Sequence, residues 1–150
     1  MNILTKPGAG WADCTFDDDA RISYIDPFPY FVLQDMVESI EKGTPFCVTF
    51  DAEGWDYSLL SYDGFDLEYI LRKDTQPVIK RLDMNFMEFC KKFVSDVEEN
   101  FDDWAIFPAN YTVAESSEEE IEESKKELSE LISKVKKLIG LDKEEGIEEK

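Results

Sequence analysis

The chain has 150 residues, 43% of them hydrophobic and 13% aromatic, and 35 acids against 16 bases give a net charge of −19. That length suits one domain with a substantial core, and the aromatic content excludes a chain disordered throughout. The charge excludes direct nucleic-acid and anionic-membrane binding as favoured functions and points to basic proteins or cations instead.

Gly8-Ala9-Gly10 loosens the entry, and Trp11 to Phe16 reads as a strand. Asp17-Asp18-Asp19 is a polar turn, from which Arg21 to Ile25 returns as a second strand. Asp26-Pro27 has the form of a helix start, an N-cap carboxylate followed by a residue with no N–H to leave unpaired. Tyr30, Leu33, Met36, Val37 and Ile40 then form one apolar stripe, and Gly43 ends the helix.

The central block alternates strand and turn. Phe46 to Phe50 leads into Asp51-Ala52-Glu53-Gly54, where Gly54 is expected in the left-handed region, and Trp55 to Tyr62 is the partner strand. Asp63-Gly64 predicts a type I′ hairpin turn. Phe65, Leu67, Tyr69 and Leu71 make one face of the next strand, and Val78 to Leu82 is a short strand near an edge because Pro77 precedes it. Asp83 is a second N-cap candidate, opening a helix with Phe86, Phe89, Cys90, Phe93 and Val97 on one side and a stop at Asn100. Trp104 to Pro108 is a further strand or a segment laid across the core.

After Val113 the composition changes. Ser116 or Ser117 with Glu119 or Glu120 forms a capping-box pattern, and Ile121, Leu128, Leu131, Ile132, Val135, Leu138 and Ile139 form the stripe of a last helix closed by Gly140. Acids crowd its first turn and lysines its last, as the helix dipole favours. The expected organisation is an α+β domain over residues 1–113, an amphipathic helix over 114–140 and a disordered acidic tail over 141–150. The fold class is α+β, an antiparallel sheet of about six strands packed against two helices, plus the C-terminal helix. That helix either docks on its own domain or mediates self-association through residues 117–139.

Residues 1–113 hold 22 acids and 9 bases and residues 114–150 hold 13 and 7, so the surplus belongs mainly to the folded part. Cys14, Cys47 and Cys90 are widely spaced, form no CxxC and read as buried free thiols of a reducing compartment. No long apolar run marks a signal peptide or a membrane span, which reads as cytoplasmic.

The chain has no histidine, the commonest general base near neutral pH and the commonest transition-metal ligand. No phosphate-binding glycine loop is present. Chemistry would have to rest on carboxylates, and Asp51, Glu53 and Asp56 lead that reading, with Asp17-Asp18-Asp19 second; neither matches a calcium-loop spacing, and both read first as soluble turns. No cofactor and no metal are expected.

In size, charge and α+β pattern, and in the stretch GWADCTF…ISYIDPFPYF…VTFDAEGWDYSLL, the chain resembles the small acidic immunity proteins that bacteria make against polymorphic or contact-dependent toxins. The resemblance implies a non-catalytic protein that neutralises a basic partner such as a toxin nuclease. On that reading Asp17, Asp18, Asp19, Asp51, Glu53 and Asp56 supply the acidic surface and Trp55 an aromatic anchor. The alternatives are a carboxylate-based divalent-cation-binding domain or hydrolase, and an assembly module that uses the last helix.

Overall fold

The computed structural model describes residues 2–8, 11–23, 27–107 and 118–141. Strict alternation along Phe46–Asp51 (β3) organises the larger sheet: Phe46, Val48 and Phe50 are buried, while Cys47, Thr49 and Asp51 are exposed. Asp56–Ser61 (β4), Glu68–Arg72 (β5) and Val78–Arg81 (β6) follow, all antiparallel, in the spatial order β3-β4-β5-β6. The register sets Phe50 beside Tyr57 and Val48 beside Leu59, then Tyr57 beside Leu71 and Leu59 beside Tyr69, so the apolar residues of three strands share one face. β6 is the edge, and all four of its residues are exposed.

The expected single sheet is two. Trp11–Asp13 and Arg21–Ser23, three residues each, form a separate antiparallel hairpin, to which Gly8 adds a single bridge at Trp11. We number them β1 and β2.

Four helices occur among the described residues, where three were expected. Tyr30–Lys42 (α1) begins after Pro29, not at Asp26-Pro27, and ends at Gly43 in the left-handed conformation with φ 67°. Asp26, with Tyr24 and Ile25, lies outside the described residues. Phe86–Glu99 (α2) is capped by Asn85, not Asp83: Asn85 is extended, its side chain accepts from the Glu88 N–H, and the Glu88 carboxylate accepts from the Asn85 N–H. Phe101–Ala105 (α3) is a short helix where a strand or crossing segment was expected, and it follows α2 directly through Asn100. Glu118–Leu138 (α4) is the last. Its expected capping serines and the expected disordered tail, apart from Leu141, lie outside the described residues. No helix among the described residues is long and apolar enough to cross a membrane.

α4 docks on its own domain. Leu128, Ile132 and Val135 are buried, and the helix packs on α1, α2 and α3. Three of its lysines pair with acids of those helices: Lys125 with Asp102 (3.6 Å), Lys134 with Glu41 (4.0 Å) and Lys136 with Glu98 (3.2 Å). The Tyr30 hydroxyl donates to the carbonyls of Ala105 (2.5 Å) and Ser124 (3.2 Å), tying α1 to α3 and α4.

The core between sheet and helices is aromatic. Phe28 sits at its centre, with Phe31, Phe50, Phe93, Trp104 and Phe107 at ring-centroid distances of 5.1–6.3 Å. Such pairs each add about 0.5–1.5 kcal/mol beyond area burial. Burial pushes the Cys14 and Cys90 thiols up to about 12, whereas Cys47, expected inside, is exposed because β3 turns it to the outer face of the sheet.

Two hairpin expectations also change. Six residues, not two, link β4 and β5, and the Asp63 carboxylate organises them by accepting from the N–H groups of Phe65 and Asp66 (both 2.9 Å). Phe65 falls outside the strand and is 63% exposed. In the β3–β4 turn Glu53 takes the left-handed conformation (φ 57°), and Gly54 adopts φ 148°, a region essentially reserved for glycine.

Bridges to residues 11–15 hold the N-terminal segment on one side, and a buried carboxylate holds it to α2 on the other. Asp96 on α2 accepts from the N–H groups of Ile3 (2.6 Å) and Leu4 (3.1 Å). Burial raises its pKa against the lowering effect of those two donors. A raised folded-state pKa means that the protonated form favours folding: this contribution is present below the unfolded carboxylate value and is lost as pH rises through the folded one. Asp96→Ala should cost about 1–3 kcal/mol at neutral pH by stranding two buried donors. Asp96→Asn, which keeps an acceptor without burying a charge, should equal or exceed the wild type at pH 7 and lose that advantage in acid. Urea denaturation at both pH values checks this; an alanine variant as stable as the wild type would show that the segment is not held there.

Candidate functional site

The two acidic turns singled out in the sequence meet in space, joined by an arginine. The Arg21 guanidinium on β2 lies 4.7 Å from the ring centroid of Trp11 and 4.3 Å from that of Trp55, so it is sandwiched between a β1 ring and the ring that ends the β3–β4 turn. Its Nη2 donates to the Ala52 carbonyl (3.0 Å). The Trp55 indole N–H donates to the Asp19 carbonyl (2.8 Å), and the Ser23 hydroxyl donates to the Glu53 carboxylate (2.5 Å). The Tyr57 hydroxyl donates to the Arg21 carbonyl (2.7 Å).

Bases from β5 and β6 close the corner. Lys73 pairs with Asp19 (2.9 Å) and lies 4.6 Å above the Trp55 ring, while Lys80 pairs with Asp17 (2.8 Å). Arg72 pairs with Asp56 and donates to the Ser58 hydroxyl (2.6 Å). Partial burial raises the Asp17 pKa, but its bond to the Lys80 ammonium and the Asp19 N–H outweigh that and hold it below the ordinary carboxylate value. Burial and the nearby Asp17 and Asp19 charges push the Tyr69 phenol upward.

Asp17, Asp19, Glu53, Trp55 and Asp56 are thus bound into the fold, Asp18 stands exposed at the tip of the first turn, and Asp51 is exposed while its carboxylate accepts from the Glu53 N–H (2.8 Å). Six acids here face four bases, Arg21, Arg72, Lys73 and Lys80, which leaves the corner near −2. No match is found among protein-family models, curated proteins or solved structures.

Among the described residues no group of three His, Cys, Asp or Glu side chains converges as a metal site. The four bases are what sequence reading passed over: Lys80 sits opposite Tyr69 in the register and Lys73 lies just beyond β5, and only the fold brings both to the first acidic turn.

The less compensated acids lie elsewhere. Glu118, Glu119, Glu122 and Glu123 on the first turns of α4 are all exposed and line an open groove with Lys126 as its one base. Asp103 on the adjoining α3 is exposed as well, beside Asp102, which pairs with Lys125.

The Arg21 stack predicts a measurable specificity for guanidinium. Arg21→Lys keeps the charge but loses planar stacking on two rings, and should cost about 1–2 kcal/mol. Urea denaturation followed by tryptophan fluorescence reads this out; an unchanged midpoint would mean that the stack does not join the two hairpins.

Proposed function

We propose that this protein is a non-catalytic acidic binding protein that neutralises or regulates a basic protein partner, such as a toxin nuclease. The observation that carries this reading is the carboxylate surplus. With 35 acids and 16 bases, 19 acids would stay unneutralised even if every base were paired. At least eight bases already serve ion pairs, and Arg21 is enclosed between two tryptophans.

A surface of this kind steers a basic partner towards it and repels phosphate. The exposed acids of α3 and of the first turns of α4 carry the attraction, with Asp18 and Asp51 contributing from the corner. The assembly-module alternative is weakened because three residues of its apolar seam, Leu128, Ile132 and Val135, are buried against the domain, while Leu131, Leu138 and Ile139 are half-buried.

The test is inhibition of purified basic nuclease domains, with association followed by stopped flow. The expected association rate falls by about 10- to 1,000-fold between low and high salt. Combined reversal of Glu119, Glu122 and Glu123 to Lys should slow it more than Asp18→Lys with Asp51→Lys. If neither set of reversals nor salt alters inhibition of any such nuclease, or if none is inhibited, the reading fails.

A further inference from the structure

Among the described residues five large apolar side chains are exposed: Val78 and Ile79 on the edge strand β6, and Tyr62, Phe65 and Met87 around the β4–β5 connection and the start of α2. Tyr62 is 80% exposed and Met87 is 37% exposed, and both line one groove of about 410 Å³ between the C-terminal end of α1, the β4–β5 connection and the start of α2. Phe65, 63% exposed, is fastened to that site by the bond from the Phe86 N–H to its carbonyl (2.7 Å). A volume near 400 Å³ falls within the range of small-ligand pockets.

The groove mixes apolar and polar walls and carries a carboxylate at one end. Ile40, Phe86, Met87 and Tyr62 supply the apolar walls. Asp63 is the one charged residue lining it. Both turn amides bond to the same Asp63 oxygen, Oδ1, which fixes the carboxylate, and the Arg81 charge lies near enough to add to its stabilisation. Those two donors hold Asp63 below the ordinary carboxylate pKa, so it is ionised throughout the neutral range. The last turn of α1, through Ser39, Ile40 and Gly43, adds the negative end of a helix dipole.

An aliphatic stem with a cation at its tip matches that arrangement. We infer that this groove receives an arginine side chain of the basic partner, its stem against Ile40, Phe86 and Met87 and its guanidinium between the Tyr62 ring and the Asp63 carboxylate. Arginine fits better than lysine because its planar head both stacks on an aromatic face and engages a carboxylate. The assignment rests on the basic-partner reading and gives it an anchor, since general acidity steers a partner without specifying one.

The test uses the full chain and three probes followed by amide NMR: N-acetyl-arginine amide, its uncharged norleucine counterpart and octa-arginine. The blocked arginine should give saturable shifts at Thr44, Asp63, Gly64 and Met87, and the norleucine compound should not. Tyr62→Ala, at a position too exposed to threaten the fold, should weaken binding about three- to fivefold, the size of an exposed cation–π contact. Asp63→Asn, which retains the turn's acceptor oxygen, should do the same. Equal shifts with norleucine would make the groove an apolar slot and overturn the assignment. Octa-arginine bound at low salt with the groove amides unmoved would overturn it while leaving the basic-partner reading standing; no binding of octa-arginine at low salt would end both.

Discussion

The placement of Arg21 between Trp11 and Trp55 is the interaction on which the acidic corner depends. The two-stranded and four-stranded sheets share no ladder among the described residues, so side chains must join them. A guanidinium does this well: its faces lie on two aromatic rings while an edge N–H reaches the Ala52 carbonyl. The arrangement also fixes the two acidic turns next to one another, which would repel without intervening bases. Arg21, Lys73, Lys80 and Arg72 make that proximity tolerable, and as a result carboxylates that looked like a binding surface serve largely as internal clips.

The remaining charge follows from the same economy. Sixteen bases cannot offset 35 acids, and the fold uses the described ion pairs where elements must be held: β5 and β6 to the first hairpin, and α4 to α1, α2 and α3. Cohesion comes from aromatic packing around Phe28 and from the buried stripe of α4, which charge does not weaken. Acids left out of those junctions keep their field. They are densest at the start of α4, with Asp103 beside them on α3, on different elements from the apolar groove beside Tyr62. Steering and anchoring would then be divided between two parts of the surface.

Much of the fold was legible in the sequence because its signals are local. The alternation of Phe46, Val48 and Phe50, the stop at Gly43 and the edge position of Val78–Arg81 all follow from periodicity or backbone conformation within a few residues. The stripe of α4 was visible too, although nothing local says what it covers. Asn85 and Asp83 are equally good caps by composition, and the reciprocal bond with Glu88 decided between them. Glu53 rather than Gly54 became left-handed because φ near 148° is open only to the glycine. The candidate site was half legible: the seven chosen residues do lie in one corner, but pairings such as Asp17 with Lys80 join residues far apart in sequence, where periodicity carries no information. The groove beside Tyr62 went unseen because its walls come from three separate elements.

The central claim is that this fold leaves a carboxylate surplus that the chain itself cannot neutralise. Folding stability as a function of salt tests it without any partner. Compaction gathers the surplus, so screening should relieve self-repulsion, and the urea midpoint should rise as salt increases from about 0.01 M to 0.5 M, a range over which the screening length falls from about 30 Å to well under 10 Å. A midpoint that falls with salt would contradict the account, because it would show that internal ion pairs outweigh the repulsion and that little charge is left for a partner.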